Sequence, residues 1–244
     1  AQSARLGPIT MSNMAAAARV DGGRATFDLG DATAYGGNLL GRVLVSEAGS
    51  GGGAKFQLSV RDMEFGALFD ALGVSGPLPR GKGTLDIELD TPYPIWATAP
   101  DDFAGQFALT VGAGTISGFD LETFQQLAAS RPFFRLEETD TGSPFQYQTV
   151  DFAADISDGV AEITRGQIVG QTSTIRLSGI VPYTRSSLAV AGVLSPTETA
   201  EDGNPAVPGT AQNPNARPSP PPGSLRFFLG GSWPDPVISP VTGD

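Results

Sequence analysis

Apolar and polar residues alternate with a period of two through most of this chain. Lys55–Arg61 is the cleanest case, with Phe56, Leu58 and Val60 on one side and Lys55, Gln57, Ser59 and Arg61 on the other. Successive side chains of extended backbone point to opposite faces, so this period describes a strand with one dry face and one wet face. Gly81–Asp90 repeats it, setting Leu85, Ile87 and Leu89 against Thr84, Asp86, Glu88 and Asp90. Phe103–Val111 places Phe103, Phe107, Leu109 and Val111 on one face. Strands are expected before these at Gly7–Val20, Arg24–Leu29 and Leu39–Ser46. They are expected after them at Phe145–Ser157, Val160–Thr164, Thr174–Val181, Ser187–Leu194 and Ser224–Leu229. Val150, Phe152, Ala154, Ile156, Ile175, Leu177, Leu188, Val190 and Leu194 take dry positions.

The period changes to that of a helix in two places. Met63–Leu72 carries Leu68, Phe69 and Leu72 on one stripe, and Gly73 can end it in a left-handed cap. Asp120 to Ser130 has an N-capping aspartate, Glu122 in the first turn, and Leu121, Phe124 and Leu127 at helical spacing. This second segment reads as a helix packed over the open face of the sheet. Asp21-Gly22-Gly23 and Asp158-Gly159 are hairpin turns, and Ala48 to Gly53 has the composition of a flexible loop. Residues 196–223, which include Pro218-Ser219-Pro220-Pro221-Pro222, are too poor in large apolar residues to offset their ordering entropy and read as a disordered linker. The final strand and tail, 224–244, must rejoin the sheet across it. The expected fold is mainly β: an extended, curved antiparallel sheet, a half-barrel or groove, with two short helices.

Composition narrows the chemistry. With 15 basic and 26 acidic residues the formal charge is −11, a sign that disfavours nucleic acid as a partner. The 244 residues include no Cys and no His. Thiolate catalysis, disulfides and Cys-ligated zinc are therefore excluded. So is a Ser-His-Asp triad. No Gly-rich phosphate loop ending in Lys-Ser or Lys-Thr occurs. No cofactor or metal is expected, and the chain reads as a non-enzyme. No run of about 18 apolar residues appears, so no transmembrane helix is expected. The opening lacks a charged segment followed by an apolar one, and the chain reads as a mature form or an excised piece.

Short glycine-framed phrases recur in a fixed order. Tyr35-Gly36-Gly37 with Gly41 comes first, then Gly81-Lys82-Gly83-Thr84-Leu85, then Gly114 to Leu121 running through Asp120-Leu121 into a helix. Pro144-Phe145, Gly159-Val160 and Gly230 to Pro236 complete the series. This order resembles the carboxy-terminal region of the AsmA family of bacterial envelope proteins, over most of residues 5–194 and 224–240. The Pro-rich insertion and Pro182-Tyr183 depart from that pattern. The resemblance implies an AsmA-like β-sheet domain over 1–195. It implies a periplasmic location with inner-membrane attachment in the full-length protein. It implies a role in phospholipid traffic and outer-membrane assembly, with an acyl lipid and envelope membrane proteins as partners.

The candidate lipid-binding residues are Phe27, Leu29, Val43, Val45, Phe56, Leu58, Val60, Leu85, Ile87, Leu89, Phe107, Leu109 and Val111. The same dry faces also suit an ordinary core sealed by the helices, and both readings hold if one end of the sheet is plugged and the other open. A scaffold that adds a partner's strand at a sheet edge is the alternative function, and a carbohydrate-active β-domain is a third. Asp86, Glu88 and Asp90 stand about 7 Å apart along one strand and read as a solvated face. Glu137, Glu138 and Asp140 lack Ca²⁺-loop spacing and read as a solvated loop.

Overall fold

The computed structural model describes residues 3–46, 52–197, 223–233 and 235–241. The expected linker falls almost wholly on 198–222, outside the described residues, as does most of the expected glycine loop. The remaining chain forms one antiparallel sheet of seventeen strands that does not close into a barrel. The amino-terminal strands are β1 (Ser3–Leu6), β2 (Ile9–Ser12), β3 (Ala15–Asp21), β4 (Arg24–Ala34), β5 (Gly37–Ser46) and β6 (Gly53–Glu64). Helix α1 (Phe65–Leu72) follows, then β7 (Pro79–Arg80), β8 (Lys82–Thr91), β9 (Ala104–Val111) and β10 (Gly114–Ile116). Helix α2 (Leu121–Ser130) leads to β11 (Phe134–Arg135), β12 (Phe145–Ser157), β13 (Val160–Gly170), β14 (Ser173–Val181), β15 (Ser187–Pro196), β16 (Leu225–Ser232) and β17 (Val237–Val241).

Spatial order follows chain order closely. β4 carries β3 and the end of β2 on one side, and β1 pairs β2 beyond. From β4 the sheet runs through β5, β6, β8, β9, β12, β13, β14, β15, β16 and β17 to β11. Short β10 bridges β12 and β7 where β9 stops. Tight turns make this meander possible. Tyr35-Gly36 joins β4 to β5 with φ of 48° and 78°, and Asp158-Gly159 joins β12 to β13 with φ of 51° and 74°. These are the primed turns whose twist matches a hairpin. Gly37, just after the first turn, is glycine for a second reason: a Cβ there would lie 2.6 Å from the Arg61 carbonyl oxygen and the Met63 Cα.

The register aligns the dry faces into transverse rows. One row runs Leu29, Gly41, Leu58, Ile87, Phe107, Ala154, Ile163, Gly179, Val190, Leu229 and Ile238 across eleven strands. Another, nearer the helices, runs Gly83, Val111, Val150, Ile168, Ile175, Leu194 and Leu225. The core gathers at that end. Phe124 of α2 lies 5.1 Å from Phe227, 5.5 Å from Phe119 and 5.8 Å from Phe134, measured between ring centroids. The Asp120 carboxylate caps α2 by accepting the Thr123 N–H at 2.7 Å. Gly73 ends α1 in the left-handed region. Tyr147 is buried, and its hydroxyl donates to the Arg80 carbonyl at 3.0 Å, tying β12 to β7.

Several boundaries differ from the sequence reading. Met63 is a buried strand residue, not the start of α1. A left-handed Asp62 makes a bulge, after which Met63 still pairs with Gly83, so ladder hydrogen bonds extend the strand to Glu64. Leu72 is exposed, not part of the helix's packed stripe. The expected first strand breaks at Asn13, whose φ is 54°, giving β2 and β3. β13 continues past Thr164 to Gly170 through a register shift. β17 has no counterpart in the sequence reading. Its Pro240 lies past Val237 and Ile238, the two residues that β11 pairs, where that side of the strand is an edge and a missing N–H is tolerated.

Two expectations follow. Phe124→Ala removes a ring enclosed by three others and should cost about 3–5 kcal/mol by urea denaturation. Burial pushes the Tyr147 hydroxyl up to about 12, with the Glu64 charge adding to the shift. The neutral phenol is therefore favoured in the fold. Its contribution should be complete below pH 10 and fall away as pH rises toward 12, a loss that denaturation series at alkaline pH would register and that Tyr147→Phe should abolish.

Candidate functional site

The apolar face is unevenly covered along the strands. At the helix end Val111, Val60 and Leu109 are buried, together with Phe65, Phe119 and Phe134. In the middle, Leu29, Leu58, Leu85 and Phe107 are half-buried and pack against that core. Beyond that core the cover thins along β4, β5, β6 and β8, and Phe27 is 48% exposed, before Ala54 and Thr91 at the far ends of β6 and β8 are buried again at 2% and 3%. An open trough of about 650 Å³ lies along the thinly covered stretch, its apolar wall made by Ala16, Ala18, Phe27, Leu29, Val43, Phe56, Leu58, Ile87, Leu89 and Phe103. No helix residue lines it.

Seven of the expected lipid-binding residues are brought together in this trough: Phe27, Leu29, Val43, Phe56, Leu58, Ile87 and Leu89. Val60, Leu109 and Val111 are not. They are sealed beneath the helices at 2%, 9% and 0% exposure, because α1 and α2 cover that end of the rows. Leu85 packs on the same core, Phe107 lies edge-on to Phe152 at 6.1 Å, and Val45 sits outside the lining on the rim. The site reading omitted Phe103 and the alanines of β3. Phe103 meets Phe56 edge-to-face at 5.7 Å. The period of β9 already places it on the wall, two residues before Gly105. Nothing in the run Ala15 to Ala18 marked it as wall, since alanine carries so little apolar surface.

The opposite face is polar and laddered. Arg42 donates to Asp28 at 2.6 Å, Ser59 and Arg61 donate to Asp86 at 2.8 and 2.9 Å, and Gln57 and Gln106 donate to Glu88 at 3.3 and 3.1 Å. The Arg61 hydrogen bond, aided by that from Ser59, holds the Asp86 carboxyl below its ordinary value against the opposing cost of burial. That contribution is present at neutral pH and lost as pH falls through the depressed value. These carboxylates are partnered and open to water, the setting of a solvated face rather than of a general acid. Glu138 accepts hydrogen bonds from the Arg135 N–H at 2.8 Å and from Arg131 at 2.6 Å, which lower its pKa. No cluster of metal-ligating side chains occurs among the described residues, and no described helix is long and apolar enough to cross a membrane.

Searches of family models, curated proteins and solved structures find no match, so the functional reading stands on the trough itself. Asp86→Ala should cost no more than about 1 kcal/mol of folding stability at pH 7, the range of exposed ion pairs, as urea denaturation of the two proteins would register.

Proposed function

We propose that this protein holds acyl lipid along the open trough without catalysing a reaction on it. The observation that carries this reading is the continuous wall from Phe27 to Leu89, which faces about 650 Å³ that neither helix covers. Such a wall attracts hydrocarbon by burial alone, with no directional stop. The two tails of a phospholipid hold ~30 methylene and methyl groups at about 0.8 kcal/mol each. Their full burial would exceed the roughly 18–21 kcal/mol at which non-covalent affinity saturates. A trough this size covers part of a lipid only, which favours guiding over storage. The resemblance to the AsmA family supports placing that activity in the cell envelope. There the chain would serve phospholipid traffic and outer-membrane assembly from the periplasm, attached to the inner membrane in a longer protein and working with envelope membrane proteins.

A second reading has its own observation. Among the described residues β3 pairs only β4, and all seven of its residues are exposed. A partner strand could extend the sheet there.

Mass spectrometry of lipid extracted from the purified protein separates the two. The lipid reading expects co-purified phospholipid, and a scaffold should come up empty. Ile87→Asp on the wall should cut loading roughly tenfold or more, while Glu88→Gln on the wet face should not. Phe27→Asp repeats the test at a more exposed position, so that a folding defect in the first variant does not decide the matter. Normal loading in both wall variants would overturn the proposal.

A further inference from the structure

The apolar surface of the trough continues past its rim. The connection between β8 and β9 turns Tyr93, Ile95 and Trp96 outward, with 50%, 44% and 82% of their surface exposed. Their display is built rather than slack. Ile95–Ala97 forms a 3-10 turn in which the Ala97 N–H donates to the Pro94 carbonyl at 2.8 Å. The Thr98 hydroxyl donates to the same carbonyl at 2.9 Å, and the Asp102 carboxylate accepts the Ala99 N–H at 2.7 Å.

This connection springs from the trough at both ends. Thr91, where it begins, ends the row Ala25, Val45, Ala54 and Thr91, of which Ala54 and Thr91 are buried at the foot of the connection. Phe103, where it returns, packs on Phe56 in the wall. At the other corner of the same row, Val20 pairs with Ala25 and is 78% exposed.

Tryptophan and tyrosine favour the bilayer–water interface, where one part of the ring is greasy and the other wet. The charge around the rim points to the kind of bilayer. Arg19 and Asp21 pair with each other at 3.6 Å, and Arg24 and Lys55 stand against Asp90, Asp101 and Asp102. The chain as a whole carries −11. The rim offers no basic surplus of the kind that binds anionic lipid.

We propose that the Tyr93–Trp96 turn docks the open end of the trough on the interface of a zwitterionic phospholipid bilayer, bringing the trough against the lipid it takes up. This rests on the lipid-holding reading, but docking and loading are measured separately.

The chain has two tryptophans, Trp96 and Trp233. In a Trp233→Phe background, phosphatidylcholine vesicles should shift the Trp96 emission to the blue. In flotation with the same vesicles, Trp96→Ala should lower the bound fraction roughly tenfold. Phe133→Ser, an exposed ring beyond α2 at the closed end, should float like the parent. Raising salt from about 0.05 to 0.5 M should change little, since insertion rather than charge drives the contact. Ile87→Asp should still float while carrying less lipid. A parent that floats through Trp96 yet carries no lipid would sink the lipid-holding reading alone. The docking proposal is overturned by an unshifted emission, by equal losses in the Trp96 and Phe133 variants, or by flotation that needs anionic vesicles and collapses in salt.

Discussion

The architecture turns on a mismatch of length between the apolar face and the helices that cover it. Helix α1 has 8 residues and α2 has 10, so they span about 12 and 15 Å. The strands beneath them run to 13 residues, more than about 40 Å. Two helices this short can seal one end of such a face and no more. Phe124, seated among Phe119, Phe134 and Phe227, fixes where the seal falls. Everything beyond the reach of that cluster depends on the sheet's own curvature for cover.

The two faces divide the work. On the wet side, carboxylates meet arginine, serine or glutamine across neighbouring strands, as at Asp28, Asp86 and Glu88. These pairs help keep register, because a one-residue slip would turn every charge into the core. They are too exposed to add much stability each. On the dry side the same register lines up Leu29, Leu58, Ile87 and Phe107. Net stability rests on this second set where it is packed, and the proposed lipid-holding role rests on it where it is not.

The two proposals share one physical logic. A trough that attracts hydrocarbon without direction needs something to bring it to a hydrocarbon source. The outward ring of Trp96 sits at the end of the trough away from the helices. A strongly acidic molecule is held off anionic surfaces by its mean field, so an uncharged contact of aromatic and aliphatic groups is the form of attachment that composition leaves open.

Much of this was legible in the chain. Period two in Lys55–Arg61 and Gly81–Asp90 located strands and their dry faces, because the alternation is a local property of extended backbone. Asp120, Asp21-Gly22-Gly23 and Asp158-Gly159 named a cap and two turns for the same reason: their hydrogen bonds and φ values are satisfied within a few residues. Local pattern could not tell Val111 from Phe27. Both are apolar, both take dry positions, and both lie on the same face. One is 0% exposed and the other 48%, because burial depends on what another part of the chain lays across the face. The positions of α1 and α2 over the sheet, and with them the line between core and open trough, were decided by tertiary packing between residues far apart in sequence.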